Sequence, residues 1–145
     1  MNARSKLYVV MGNPTALARA RHAGGRFYDA QKHNKLVCGM DIRKQHEEAP
    51  FFKAPISLDV IFYMPIPDSV AAKKRPSMKD QWHIIKPDSS NLLKFVEDVA
   101  TEICYKDDCI IAKISLEKVY DDGKGPRTEF VLMELETPRQ HRELV

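Results

Sequence analysis

Five apolar residues recur at every second position from Ile56 to Met64: Ile56, Leu58, Val60, Phe62 and Met64. A period of two predicts a β-strand with one buried face, and Pro65 and Pro67 end it. From about Ser90 to Cys104 the period changes. At ~100° per residue, Leu92, Leu93, Val96, Val99, Ala100 and Ile103 fall in an arc of about 120°, opposite Asn91, Lys94 and Asp98. That pattern predicts an amphipathic helix.

The remaining segments are weaker. Residues 5–11 form a short apolar run closed by Gly12-Asn13-Pro14, a first strand. Residues 14–28, rich in Arg, Ala and Gly with a Gly24-Gly25 break, suit an extended loop or arm. From Tyr28 to about Glu48 the chain is mostly polar, with Leu36, Val37 and Met40 as the apolar candidates for one face of an exposed helix. Pro50 and Pro55 bound it. Residues 66–87 suit a long basic loop, a length that is usually functional in a small domain. Two strands follow, Cys109 to Tyr120 and Thr128 to Glu136. The turn residues 121–126 are expected to join them as a hairpin.

The order β-α-β-α-β-β predicts an α+β fold with helices packed on one mostly antiparallel or mixed sheet. With 145 residues, one domain is expected, over residues 1–136, and residues 137–145 form a polar tail. No apolar run approaches the ~18 residues of a membrane helix, and the first strand is too short for a signal-peptide core. A cytoplasmic protein without membrane association is expected. Cys38, Cys104 and Cys109 have no metal-ligand spacing and the five histidines are scattered, so no zinc site is expected. Nothing points to a small-molecule cofactor.

Net charge is +3, but its distribution is uneven. Residues 1–46 carry nine Lys and Arg, among them Arg19, Arg21 and Arg26, against Asp29 and Asp41, or nine minus two, +7. Lys73, Lys74, Arg75 and Lys79 form a second cluster. Such segments suit a polyanion; they suit a solvated surface equally well.

Between and beyond these clusters lies Lys86-Pro87-Asp88-Ser89-Ser90-Asn91-Leu92-Leu93-Lys94, then Asp98, then Asp107-Asp108. Carboxylates gathered beside a lysine suit a divalent cation acting on a phosphate ester. Each residue also has a plainer role. Asp88 could cap the helix, Asp107-Asp108 could be a solvated turn, and Lys94 could be a surface lysine. The predicted helix is about 20 Å long, so its two acidic ends meet in one chain only if the following loop folds back.

These residues resemble the signature of RusA-type Holliday junction resolvases, K-P-D-x-D-N-L-x-K, a helix with an internal Asp, and D-D before a strand. Gly12-Asn13-Pro14 with Arg19, Arg21, Gly25 and Tyr28 is similar to the family's N-terminal pattern, and Lys118-Val119-Tyr120 to its lysine-containing strand. The resemblance implies a RusA-like fold and metal-dependent endonuclease cleavage of four-way DNA junctions by a homodimer, leaving 5′-phosphate and 3′-hydroxyl ends. It implies Asp88 and Asp108 as catalytic Mg²⁺ ligands, with Mn²⁺ able to substitute. Asp107 is a less certain ligand, and Lys94 is the catalytic lysine. Arg19, Arg21, Arg26, Lys73, Lys74, Arg75, Lys86 and Lys118 are the expected DNA contacts, and recombination and repair the expected process.

Ser90 departs from the signature, which has a second catalytic aspartate there. Three readings stay open. The protein is a weakened or inactive relative that only binds branched DNA; the serine is an engineered substitution; or another carboxylate, Asp98 or Asp107, compensates.

Overall fold

The computed structural model describes residues 3–18, 21–28 and 31–145. Its elements are β1 (Ser5–Met11), β2 (Arg21–Ala23), β3 (Arg26–Tyr28), α1 (Lys32–His46), β4 (Ile56–Met64), α2 (Arg75–Met78), α3 (Ser89–Ala100), β5 (Ile111–Tyr120) and β6 (Arg127–Glu134). Four strands form one mixed sheet in the order β1-β6-β4-β5. β6 is antiparallel to both β1 and β4, whereas β4 and β5 are parallel. The protein is a single α+β domain.

β4 takes an interior place because its five alternating apolar residues are all buried. Side chains on the same pleat line up across the sheet. Tyr8 pairs with Phe130, Phe130 with Val60, and Val60 with Leu116. The rings of Tyr8 and Phe130 stack with centroids 4.9 Å apart. Leu92, Phe95, Val96 and Val99 of α3 and Ile42 of α1 close over this row, so the core lies between one sheet face and the two long helices.

The structure corrects the expected hairpin. β5 and β6 are not neighbours, because β4 lies between them. β5 exposes Lys113, Ser115 and Glu117 and lies at the edge of the four-stranded sheet, where the charge of this stretch discourages further pairing along it. The β4–β5 pair is parallel and needs a long crossover, and that crossover carries α3. The arm at residues 14–28 is likewise more ordered than expected. It holds the β2–β3 hairpin, turned by Gly24 and Gly25 with φ of 58° and 78°, a left-handed conformation that favours glycine.

α1 is shorter than its sequence pattern suggested, and its docked face differs. Gly39, Ile42 and His46 are buried, while Leu36, Val37 and Met40 are exposed. A Cβ on Gly39 would stand 3.5 Å from Ile103 Cδ1 and 3.7 Å from Val99 Cγ1, so the small residue lets the chain segments approach. A glycine and a histidine give no hydrophobic period, so the docked face was hidden. His46 is accommodated by two bonds: the Tyr8 hydroxyl donates to Nδ1 at 2.5 Å, and Nε2–H donates to the Ala49 carbonyl at 2.9 Å.

α3 ends at Ala100, short of Cys104. The Thr101 hydroxyl and the Tyr105 hydroxyl both donate to the Glu97 carbonyl, at 2.7 and 2.8 Å, and turn the chain. Phe95 joins the buried face, and Ile103 is buried from the turn beyond the helix. The expected loop at 66–87 contains α2, and its last part, Asp80 to His83, lies along β5.

Candidate active site

Asp88 occupies the N-cap position of α3, in extended backbone, and its carbonyl accepts from the amides of Asn91 and Leu92 at 3.1 and 3.2 Å. Its side chain makes no capping bond. An exposed carboxylate at a cap position that leaves the cap unmade is available for other work. The amides of the first helical turn beside it favour anions.

The loop leading to Asp88 is held from β5. The Lys118 ammonium donates to the carbonyls of Ile85 and Pro87, both at 2.6 Å. This lysine, expected to contact DNA, therefore spends two of its three donors on the backbone next to Asp88. The N-terminal motif reaches the same place. The Leu17 amide donates to the Asn91 carbonyl at 2.9 Å. The Gln31 side chain grips the loop from α1, accepting from the Ala18 amide at 2.9 Å and donating to the Ala16 carbonyl at 2.7 Å.

Ser90, Lys94 and Glu97 share one stripe of α3, since steps of four and seven residues return close to the same angle. Ser90 and Lys94 are exposed and Glu97 is half-buried. Burial, then the charge of Asp108, raise the Glu97 carboxyl above its usual range, while Lys94 opposes the rise. Asp98 is in a salt bridge with Lys35 of α1 at 2.9 Å.

The acidic pair divides its labour. Asp107 caps the short 3₁₀ turn Asp108–Ile110 by accepting from the Cys109 amide at 3.0 Å, and this bond lowers its pKa. Asp108 is exposed, yet desolvation, then the hydrogen bond and charge of Asp107 and the charge of Asp98, push its carboxyl upward against a bond from its own backbone amide. It is a carboxyl beside the negative charges of Asp107 and Asp98.

Asp88 stands at the N-terminus of α3, whereas the charge of Asp108 is felt by Glu97 in the last turn of the helix. Asp98, whose charge raises Asp108, and Glu97 lie ten and nine residues beyond Asp88, about 14 Å along the helix axis. Among the described residues, no three His, Cys, Asp or Glu side chains stand close enough to hold a metal ion. The carboxylate oxygens of Asp88 and Asp108 are hard donors of the kind that Mg²⁺ takes.

Of the expected DNA contacts, Lys73, Lys74 and Lys86 are exposed. Arg75 is half-buried, and its guanidinium donates to the carbonyls of Pro67 and Ile66 at 2.8 and 3.3 Å, folding the basic loop. Arg21 and Arg26 lie on the two strands of the β2–β3 hairpin; Arg19 lies outside the described residues. Glu97 and the strut role of Lys118 were missed from the sequence. Glu97 could have been found seven residues after Ser90. The strut had no local signal, because its partners lie 31 and 33 residues away.

A relative, the uncharacterized protein YqaN of Bacillus subtilis (strain 168), is 28% identical over 138 residues, covering 88% of this chain and 95% of its own. The family profile of endodeoxyribonuclease RusA matches residues 11–133, from the end of β1 to near the end of β6. The chain belongs to the RusA endodeoxyribonuclease family, whose members are divalent-metal-dependent endonucleases that resolve Holliday junctions.

Proposed function

We propose that this protein is a homodimeric, Mg²⁺-dependent endonuclease of four-way DNA junctions, active in recombination and repair in the cytoplasm, and that Ser90 weakens its cutting. The observation that carries the proposal is the Asp88 carboxylate, held at the mouth of α3 and unused by the cap.

Asp88 and Asp108 would hold the cation, and Mn²⁺ would serve as well. A bound divalent cation supplies polarisation of the phosphate and a more acidic water. The chain supplies the rest. The helix N-terminus attracts the phosphate, Lys94 offsets charge building on its oxygens, and Lys118 fixes the backbone that carries Asp88.

The place of Asp88 at one end of α3, and the effect of Asp108 on Glu97 at the other, suggest how the site is completed. In a two-fold dimer, the Asp88 end of one protomer can face the Asp108 end of the other. Each dimer then has two equivalent sites, matching a junction's two equivalent strands. Asp107 is already bonded as a cap, so it is the weaker candidate for a ligand.

A second function is favoured by Ser90: a branched-DNA binder that no longer cuts. One assay separates the two. Junction DNA is incubated with the protein in Mg²⁺ or Mn²⁺, beside Asp88→Asn. Metal-dependent nicking that vanishes in Asp88→Asn supports the enzyme. Tight, salt-sensitive binding without nicking supports the binder, and absence of junction binding overturns both.

A further inference from the structure

The segment just before Asp88 presents apolar side chains to solvent. Trp82 is 64% exposed, Ile84 88% and Ile85 54%. Trp82 is the chain's single tryptophan. Large apolar groups are seldom displayed so close together without a use.

This display is rigid. The Asp80 amide donates to the Tyr120 carbonyl at 3.2 Å, the Tyr120 amide to the Gln81 carbonyl at 2.8 Å, and the His83 amide to the Lys118 carbonyl at 2.9 Å. Trp82 bridges Val119 in antiparallel fashion. Successive side chains on such a segment point to opposite sides. His83 turns inward and meets the Tyr120 ring edge-on at 4.8 Å, which sends Trp82 and Ile84 outward. The Lys118 ammonium then holds the Ile85 carbonyl at 2.6 Å.

The surroundings select the occupant. Residues 66–87 carry Lys73, Lys74, Arg75, Lys79 and Lys86 against Asp68 and Asp80, five minus two, or +3. A partner that is apolar at its centre and anionic around it fits, and an unstacked nucleobase flanked by phosphates has that form. Asp88 follows three residues after Ile85, so such a base would lie beside the phosphate to be cut.

We infer that Trp82, flanked by Ile84, is a stacking wedge for nucleobases left unpaired or unstacked at a DNA branch point. The wedge rests on the branched-DNA function proposed above and adds to it a source of structural selectivity. Intact duplex offers bases only at its ends, so the wedge favours branched over linear DNA.

Trp82 reports on itself. Binding of a four-way junction and of a linear duplex of the same sequence is followed by anisotropy of labelled DNA, while tryptophan emission is read from the protein. The expected result is strong quenching by the junction and little by the duplex. Trp82→Ala should weaken junction binding by about 10-fold and leave duplex binding nearly unchanged. Trp82→Phe should restore much of the loss, which separates stacking from damage to the fold. Junction binding with unchanged emission, or an unchanged junction preference in Trp82→Ala, overturns the wedge and leaves the DNA function standing. No binding of either DNA overturns both. An emission shift that follows protein concentration without DNA would assign the patch to a second copy of the chain and also overturn the wedge.

Discussion

The ammonium of Lys118 lies 2.6 Å from the carbonyl oxygen of Pro87, so an edge strand fixes the residue before Asp88. Its second bond, to Ile85, ties down the foot of the apolar segment. One side chain thus holds both the carboxylate and the exposed tryptophan in register with the sheet.

Lys118→Met keeps the aliphatic stem and removes both bonds. Hydrogen bonds from a charged donor contribute roughly 1.5–3 kcal/mol, and partial exposure places this pair near the lower end. Urea unfolding should show a loss of about 1–2 kcal/mol. Junction cleavage should fall more than junction binding, since the change loosens the Asp88 backbone. An equal fall in both would assign Lys118 to the DNA contacts instead.

The basic loop separates into two kinds of cation. Lys73 and Lys74 are exposed, whereas Arg75 is committed to the Ile66 and Pro67 carbonyls. Replacing Lys73 and Lys74 by Gln should lower the slope of log affinity against log salt by about 0.9 for each phosphate that is no longer neutralised. Arg75→Gln should instead destabilise the loop, detected as faster proteolysis between Pro65 and Lys86. An unchanged slope in the lysine pair would remove this loop from the DNA surface.

Much of the fold could be read from periodicity, and the limits are instructive. The strand Ile56–Met64 was legible because every second residue is apolar and every one of those is buried. The face of α1 was not, because Gly39 and His46 dock through closeness and hydrogen bonds. Strand order was hidden for a further reason. Adjacency in sequence suggested a β5–β6 hairpin, but β4 carries the more continuous apolar pattern and took the place between them. At the site, the motif placed Asp88, Lys94 and Asp108 on α3 and just beyond it. It could not show that the charge of Asp108 would act on Glu97, in the last turn of the helix that Asp88 begins.

Two buried histidines set a pH dependence. Burial, as the leading cause, lowers the pKa of both His46 and His83 below the ordinary value of 6.5. The unfolded chain therefore takes up protons that the folded chain refuses. Stability should be full above the unfolded pKa and decline as pH falls through 6.5 toward the lower folded values. The slope approaches about 1.4 kcal/mol per pH unit for each histidine. Urea unfolding at pH 7.5, 6.5 and 5.5 would measure it, and His83→Asn should flatten it. A profile that is level over this range would show that both histidines protonate freely in the folded state.

A shared site across the dimer makes a prediction that a site within one chain cannot. Asp88→Asn and Asp108→Asn should each abolish cleavage alone. Mixed in equal amounts and allowed to exchange, half of the dimers become hybrids. In each hybrid, one site loses both carboxylates and the other keeps both. Nicking should return toward a quarter of the parent level, while paired cutting of both strands should stay low. Light scattering should give twice the 16.6 kDa chain mass. No recovery from verified hybrids would place the site within one protomer.

Ser90 is where the protein departs most informatively from its family signature. It is exposed in the first turn of α3, on the stripe that carries Lys94 and Glu97. A serine hydroxyl there offers a neutral oxygen where a carboxylate would offer a charged one. Mg²⁺ can replace the missing ligand by water, at a cost in affinity. Ser90→Asp should therefore lower the Mn²⁺ concentration that gives half-maximal cleavage and raise the rate by one or more orders of magnitude. Stability should change little, because an acid in the first turn of a helix is favoured by the exposed amides. Junction affinity without metal should fall slightly, as a negative charge is added near phosphates. The companion variant is Glu97→Gln, on the same stripe and half-buried beside the Asp108 charge. If Glu97 compensates for Ser90, cleavage by the parent should collapse in Glu97→Gln but survive when Ser90→Asp is also present. If the parent cuts strongly and neither change alters the rate, the site is complete without either position. If no variant cuts, the family's chemistry has been lost at more than one point and the binding function remains.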